Sequence, residues 1–108
     1  MEDKILDNFT ERLISDFGSD ILKIILFGSR AKGIAAPYSD YDLLLVLRER
    51  DRRIIDQIYD QVTDFLLDYG VDISLKIYSE EDFEKKLLMR IPFIMEVTKT
   101  GKLLWTKQ

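Results

Sequence analysis

Residues 40–47, DYDLLLVL, leave this chain few ways to fold. The segment begins acidic and ends in a continuous apolar run too short for a typical buried helix. That is the signature of a central strand with one exposed end. A central strand needs neighbours, and three other segments can supply them. Residues 21–27, ILKIILF, are β-branched and mostly apolar, and they run directly into Gly28, which predicts a buried strand. Residues 71–78, VDISLKIY, alternate: Ile73, Leu75 and Ile77 point one way, while Asp72, Ser74, Lys76 and Tyr78 point the other. A third strand covered on one face is expected there, and LLW at 103–105 predicts a short terminal strand.

Helical periodicity fills the intervals. Ile5, Leu6, Phe9, Leu13 and Phe17 recur at steps near 3.6, with Asp3 as cap and Gly18 as stop. Residues 51–69 form the longest predicted helix, capped by Asp51 and ended by Gly70. Its apolar stripe is Ile54, Ile55, Ile58, Val62, Phe65, Leu66 and Tyr69. Ser79 caps a helix reaching about residue 90, whose run EEDFEKK reads as a solvated face. Pro92 opens another short helix that Gly101 ends. Residues 28–38 read as a small-residue turn, with room for a helical turn. With 46% apolar and 33% charged residues and no linker-like stretch, residues 1–108 are expected to form one α/β (α+β) domain with few strands.

Composition then narrows the chemistry. The chain has no His and no Cys, which removes imidazole triads, His-ligated zinc, thiolate sites and disulfides. Catalysis must use carboxylates, hydroxyls, amines or a hard metal. A net charge of -4 argues against binding extended nucleic acid, whose nonspecific affinity comes from clustered Lys and Arg. No run approaches the roughly 18 apolar residues of a membrane span. The opening MEDKILDNF is acidic, unlike a signal peptide, so a soluble, cytoplasmic protein is expected.

The segment GSRAKGIAAPYSDYD, residues 28–42, places Gly-Ser at the end of one strand and Asp-x-Asp at the start of the next, with ten residues between Ser29 and Asp40. Singly, Gly-Ser is usually a turn and Asp-x-Asp is usually a solvated strand end. Together at this spacing they favour a site. Alternation puts Asp40 and Asp42 on one face and Tyr41 on the other. Two adjacent negative charges call for a cation, and oxygen ligands alone suit Mg²⁺, which prefers a few carboxylates completed by substrate phosphates and water. Gly28 lets a phosphate approach the main chain, Ser29 offers hydroxyl and amide donors, and Arg30 and Lys32 could add positive charge. Asp72 joins the pair if its strand lies beside 40–47. Three such carboxylates can hold two metals about 4 Å apart for in-line displacement at phosphorus.

With these residues in place, the chain resembles the minimal nucleotidyltransferases of the DNA polymerase beta-like superfamily. GSRAKG followed by SDYDLLLV matches the family motif closely, Asp72 in VDISL falls at its third carboxylate, and PFIMEVTKTGKLLW at 92–105 is similar to the tail of these small proteins. The resemblance implies a small mixed sheet with helices on one face, the polymerase beta palm-like arrangement. It implies transfer of a nucleoside monophosphate, usually AMP from ATP, to a hydroxyl with release of pyrophosphate. The implied catalytic and metal-binding residues are Asp40, Asp42 and Asp72, with two Mg²⁺ ions; the nucleotide falls to Gly28, Ser29 and Arg30. Many members are antitoxins that adenylylate a tyrosine of a helical HEPN-type toxin. No appended acceptor-binding domain is evident, which leaves the acceptor open. An antitoxin acting by occlusion through Phe93, Ile94 and Trp105 is one alternative. Another is a small-molecule acceptor, with a homodimer supplying the missing wall. Tyr38, Tyr41 and Tyr59 are expected to pack with an edge exposed.

Overall fold

A computed structural model of the protein describes residues 3–33 and 40–108. In chain order the elements are α1 (Lys4–Phe17), β1 (Ile21–Phe27), α2 (Gly28–Ala31), β2 (Tyr41–Leu47), α3 (Arg52–Tyr69), β3 (Ile73–Ser79), α4 (Glu80–Leu88), α5 (Pro92–Thr100) and β4 (Lys102–Thr106). The strands form one mixed sheet in the order β3-β2-β1-β4. β1 is antiparallel to both β2 and β4, while β2 and β3 are parallel and joined through α3. Among the described residues, no helix is long and apolar enough to cross a membrane.

Local chemistry sets the helix bounds. Asp3 Oδ1 accepts from the Leu6 amide at 3.0 Å, Asp51 Oδ1 from Arg53 at 2.9 Å and Ser79 Oγ from Asp82 at 3.1 Å, so each cap satisfies an amide that the helix leaves open. Gly70 closes α3 at φ 67° and donates to Leu66 O at 2.9 Å, a left-handed exit that favours glycine. α4 carries Glu80, Glu81 and Asp82 in its first turn and Lys85 and Lys86 in its last, the order the helix dipole prefers.

The apolar run of β2 is explained by two cores. Leu43, Leu45 and Leu47 pack with α1 (Leu6, Phe9, Leu13) and α3 (Ile58, Val62, Phe65) on one face. Leu44 and Val46 pack with Phe83 of α4 and with Ile94 and Val97 of α5 on the other. The expected mixed α/β sheet is therefore present, but the expectation of helices on one face is corrected: α1 and α3 cover one side, α4 and α5 the opposite one. A strand with both rows of side chains apolar leaves no wet face.

Several finer expectations also change. Tyr41 is buried at 4% exposure rather than edge-exposed, because its hydroxyl finds a polar partner inside. Ile94 is fully buried beneath α5 and offers nothing to a partner, and Trp105 is half-buried against the α1-side core. Leu66 and Tyr69 fall on the outer side of α3. The third strand starts at Ile73, leaving Asp72 just before it. The turn expected over 28–38 is described only as far as Gly33; Tyr38 lies outside the described residues.

Candidate active site

Topology gathers the motif residues. Because β1 and β2 are antiparallel with Phe27 opposite Asp42, the end of β1 meets the start of β2. Because β2 and β3 are parallel with Tyr41 beside Ile73 and Asp42 beside Ser74, β3 begins at the same edge. Gly28, Ser29, Asp40, Asp42 and Asp72 thus share one end of the sheet. The Tyr41 amide donates to Asp72 O at 3.0 Å, tying the entry of β3 to the Asp-x-Asp segment through the backbone. Alternation turns Asp42 away from buried Tyr41, toward the face covered by α4 and α5.

Gly28 is the tightest feature. Its φ is 74°, and a Cβ built on it would stand 2.5 Å from Asp42 Oδ2. Two independent reasons therefore demand glycine: the left-handed backbone and the carboxylate lying against it. The chain then turns through α2, with the Lys32 amide donating to Gly28 O and the Gly33 amide to Arg30 O, each at 3.3 Å.

Electrostatics fit a cation-binding pair. The Asp42 carboxyl is held above its usual range, first by burial, then by the negative charge of Asp40, with the Lys76 ammonium opposing. A hard cation would relieve that strain, and two carboxylates completed by phosphate oxygens suit Mg²⁺. Asp40 and Asp72 are exposed. Among the described residues no three acids are gathered as a ready ligand set, so Asp72 shares the edge with the pair without joining it in one cluster.

The two basic residues of the turn point elsewhere. The Arg30 guanidinium lies 4.0 Å from the centre of the Tyr41 ring and 3.9 Å from Asp3 Oδ2, on the α1 side. Lys32 pairs with Glu96 of α5 at 3.5 Å. The Tyr41 hydroxyl donates to Asp3 Oδ2 at 2.5 Å. Its pKa is pushed up to about 12 by burial first, then by the hydrogen bond and charge of Asp3, with Arg30 opposing. Sequence reading gave no role to Lys76 or to the Asp3–Tyr41 bond. Lys76 was within reach, since it shares its alternating face with Asp72 and Ser74; Asp3 was visible only as a cap.

Comparison with known proteins extends this picture. The sequence pattern of the family described as nucleotidyltransferase domain matches residues 6–98. A candidate protein adenylyltransferase of Methanocaldococcus jannaschii is 38% identical over 104 residues, 96% of this chain and 98% of that protein. A second from the same organism is 39% identical over 89 residues, 80% of this chain; the match spans 60% of that longer protein. Among solved structures, a Sulfolobus solfataricus protein described as a candidate nucleotidyltransferase superposes with a TM-score of 0.60 at 23% identity, covering 96% of this chain and 79% of its own. A complex of tri-AMPylated Shewanella oneidensis HEPN toxin with MNT antitoxin gives 0.54 at 18% identity, covering 97% and 73%. At those identities the structural matches speak for the fold.

Proposed function

Because this chain belongs to the nucleotidyltransferase domain family, we propose that it moves AMP from ATP to a hydroxyl of a partner protein, a tyrosine of a helical HEPN-type toxin, and so acts in the cytoplasm as an antitoxin. The observation that carries this reading is the contact of Gly28 with the Asp42 carboxylate. It sets the turn that would receive phosphates directly against the acid that would hold their cation. The nearly full-length match to a candidate protein adenylyltransferase supports a protein acceptor.

In this mechanism the acceptor oxygen forms a bond to the α-phosphorus, the bond from that phosphorus to the β-phosphate bridge breaks, and pyrophosphate leaves. Gly28 allows the triphosphate to approach the main chain, and Ser29 donates hydrogen bonds to it, while Arg30, held on the α1 side against Tyr41 and Asp3, does not face that approach. Asp40 and Asp42 would hold Mg²⁺, which when bound neutralises phosphate charge and lowers the acceptor's pKa. Asp72, exposed at the rim, accepts the acceptor's proton. The remaining contribution is positioning, which is most of what phosphoryl-type transfer requires of a protein.

The rim suits a protein acceptor. Phe93 at the start of α5 is 37% exposed and sets its ring edge-on to Phe27, 5.4 Å between centroids, one residue before Gly28. The same apolar rim favours a second reading, in which the protein silences its partner by occlusion.

Incubation with ATP labelled on the α-phosphate, Mg²⁺ and the product of the neighbouring gene should transfer label to that product, and Asp42→Asn should abolish the transfer. No transfer to any candidate partner would overturn the proposal. Full neutralisation of the partner by equimolar Asp42→Asn would favour occlusion.

A further inference from the structure

Tyr41 stands between the two acids at the first position of β2, where a strand has no preceding ladder to hold it. Three contacts fix it there. Its amide donates to Asp72 O at 3.0 Å, its ring packs in the α1-side core with the Arg30 guanidinium 4.0 Å from its centre, and its hydroxyl donates to Asp3 Oδ2. Asp3 is equally occupied: Oδ1 caps α1 through the Leu6 amide, while Oδ2 takes the Tyr41 hydroxyl and faces Arg30. One residue thereby joins the start of α1 and the α2 turn through its side chain, and the entries of β2 and β3 through its backbone.

We propose that Tyr41 is a positioning residue, whose ring and hydroxyl, locked by Arg30 and Asp3, set the direction in which Asp40 and Asp42 project. Successive side chains on a strand leave on opposite faces, so rotation of residue 41 about the strand axis swings both flanking carboxylates. A tyrosine anchored at its far end resists that rotation with the length of its ring as a lever. A phenylalanine at 41 would fill the same volume and keep the Arg30 contact without the anchor. Residues one shell outside a metal site typically change metal affinity or activity by about 10- to 100-fold when they hold ligands in place. This proposal rests on the reading of Asp40 and Asp42 as the cation-holding pair.

The test is Mn²⁺ binding by electron paramagnetic resonance in the presence of a non-hydrolysable ATP analogue, alongside thermal melting. The full chain is used with Tyr41→Phe, Asp3→Asn, the double variant and Asp42→Asn. Asn keeps the cap of α1 while removing the anionic acceptor, so Asp3→Asn carries the test should Tyr41→Phe fold poorly. The expected result is Mn²⁺ affinity about tenfold weaker in each single variant. The double variant should be no weaker than about twofold beyond either, because both changes break one connection. A Tyr41→Phe protein that melts lower but binds Mn²⁺ like wild type would reduce the bond to a structural role and overturn the proposal, as would losses that multiply in the double variant. If wild type and Asp42→Asn bind Mn²⁺ alike, the assignment of the acidic pair falls first and this inference with it.

Discussion

Gly28→Ala places a methyl group against Asp42, and the structure separates its two consequences. At φ 74° an alanine meets the left-handed penalty, roughly 1–2 kcal/mol. Its Cβ would also stand 2.5 Å from Asp42 Oδ2, whereas ordinary contact begins at 3.4 Å, so the carboxylate must retreat by about 0.9 Å. Displacing a reacting group by about 1 Å can cost on the order of 100-fold in rate. Gly70→Ala is the control. Gly70 has φ 67° with nothing within 4 Å of its would-be Cβ, so it carries the backbone strain alone. Both variants should melt lower by similar amounts, at roughly 4–8 °C per kcal/mol for a domain near this size. Only Gly28→Ala should lose nucleotidyl transfer, by about 100-fold relative to Gly70→Ala. If the two variants transfer label at rates within about threefold of each other, the contact between turn and carboxylate does not govern the site, and the reasoning from Gly28 fails.

Further outcomes follow from the same structure. The pKa of Asp42 is raised in the fold from 3.8, so the folded chain binds that proton more tightly than the unfolded chain; stability without metal should fall as pH rises from about 3.8 through the raised value. Asp42→Asn removes that penalty and should melt at or above wild type at pH 7 without metal, while Mg²⁺ with ATP should raise the melting temperature of wild type only; a variant several degrees less stable would contradict this. Lys76→Met deletes the cation that opposes burial and Asp40, so the Asp42 carboxyl should titrate higher still, as read by NMR of its side-chain carbon; an unchanged midpoint would separate Lys76 from the site. Leu45→Ala empties a fully buried position in β2 and should cost about 2–5 kcal/mol in denaturant unfolding.

Where sequence was informative and where it was not follows the range of the forces involved. The caps at Asp3, Asp51 and Ser79 and the exit at Gly70 act within three or four residues, so the helix bounds could be read directly. Spacing and residue type likewise pointed to Gly28, Ser29, Asp40 and Asp42. The Gly28–Asp42 contact, however, depends on Phe27 pairing opposite Asp42, a register fixed by the burial of two whole strands. The face that α4 and α5 cover is hidden from the sequence for a similar reason. A run such as LLLVL says that both faces of a strand are dry, while only the later positions of Phe83, Ile94 and Val97 say what dries the second one.

The places where local rules give way coincide with the proposed chemistry. Neighbouring acids repel each other, a residue at φ 74° abuts one of them, and a tyrosine hydroxyl is drawn inside to meet an aspartate 38 residues away. Of these, the repulsion between the acids costs stability in isolation, whereas the left-handed turn is free to glycine and the Tyr41–Asp3 bond is a satisfied contact at the margin of the α1-side core. A fold keeps such costs where a bound ligand returns them. Here the ligand that would do so carries positive charge toward Asp40 and Asp42 and oxygen acceptors toward Ser29, which describes a metal-bound polyphosphate more closely than any neutral molecule.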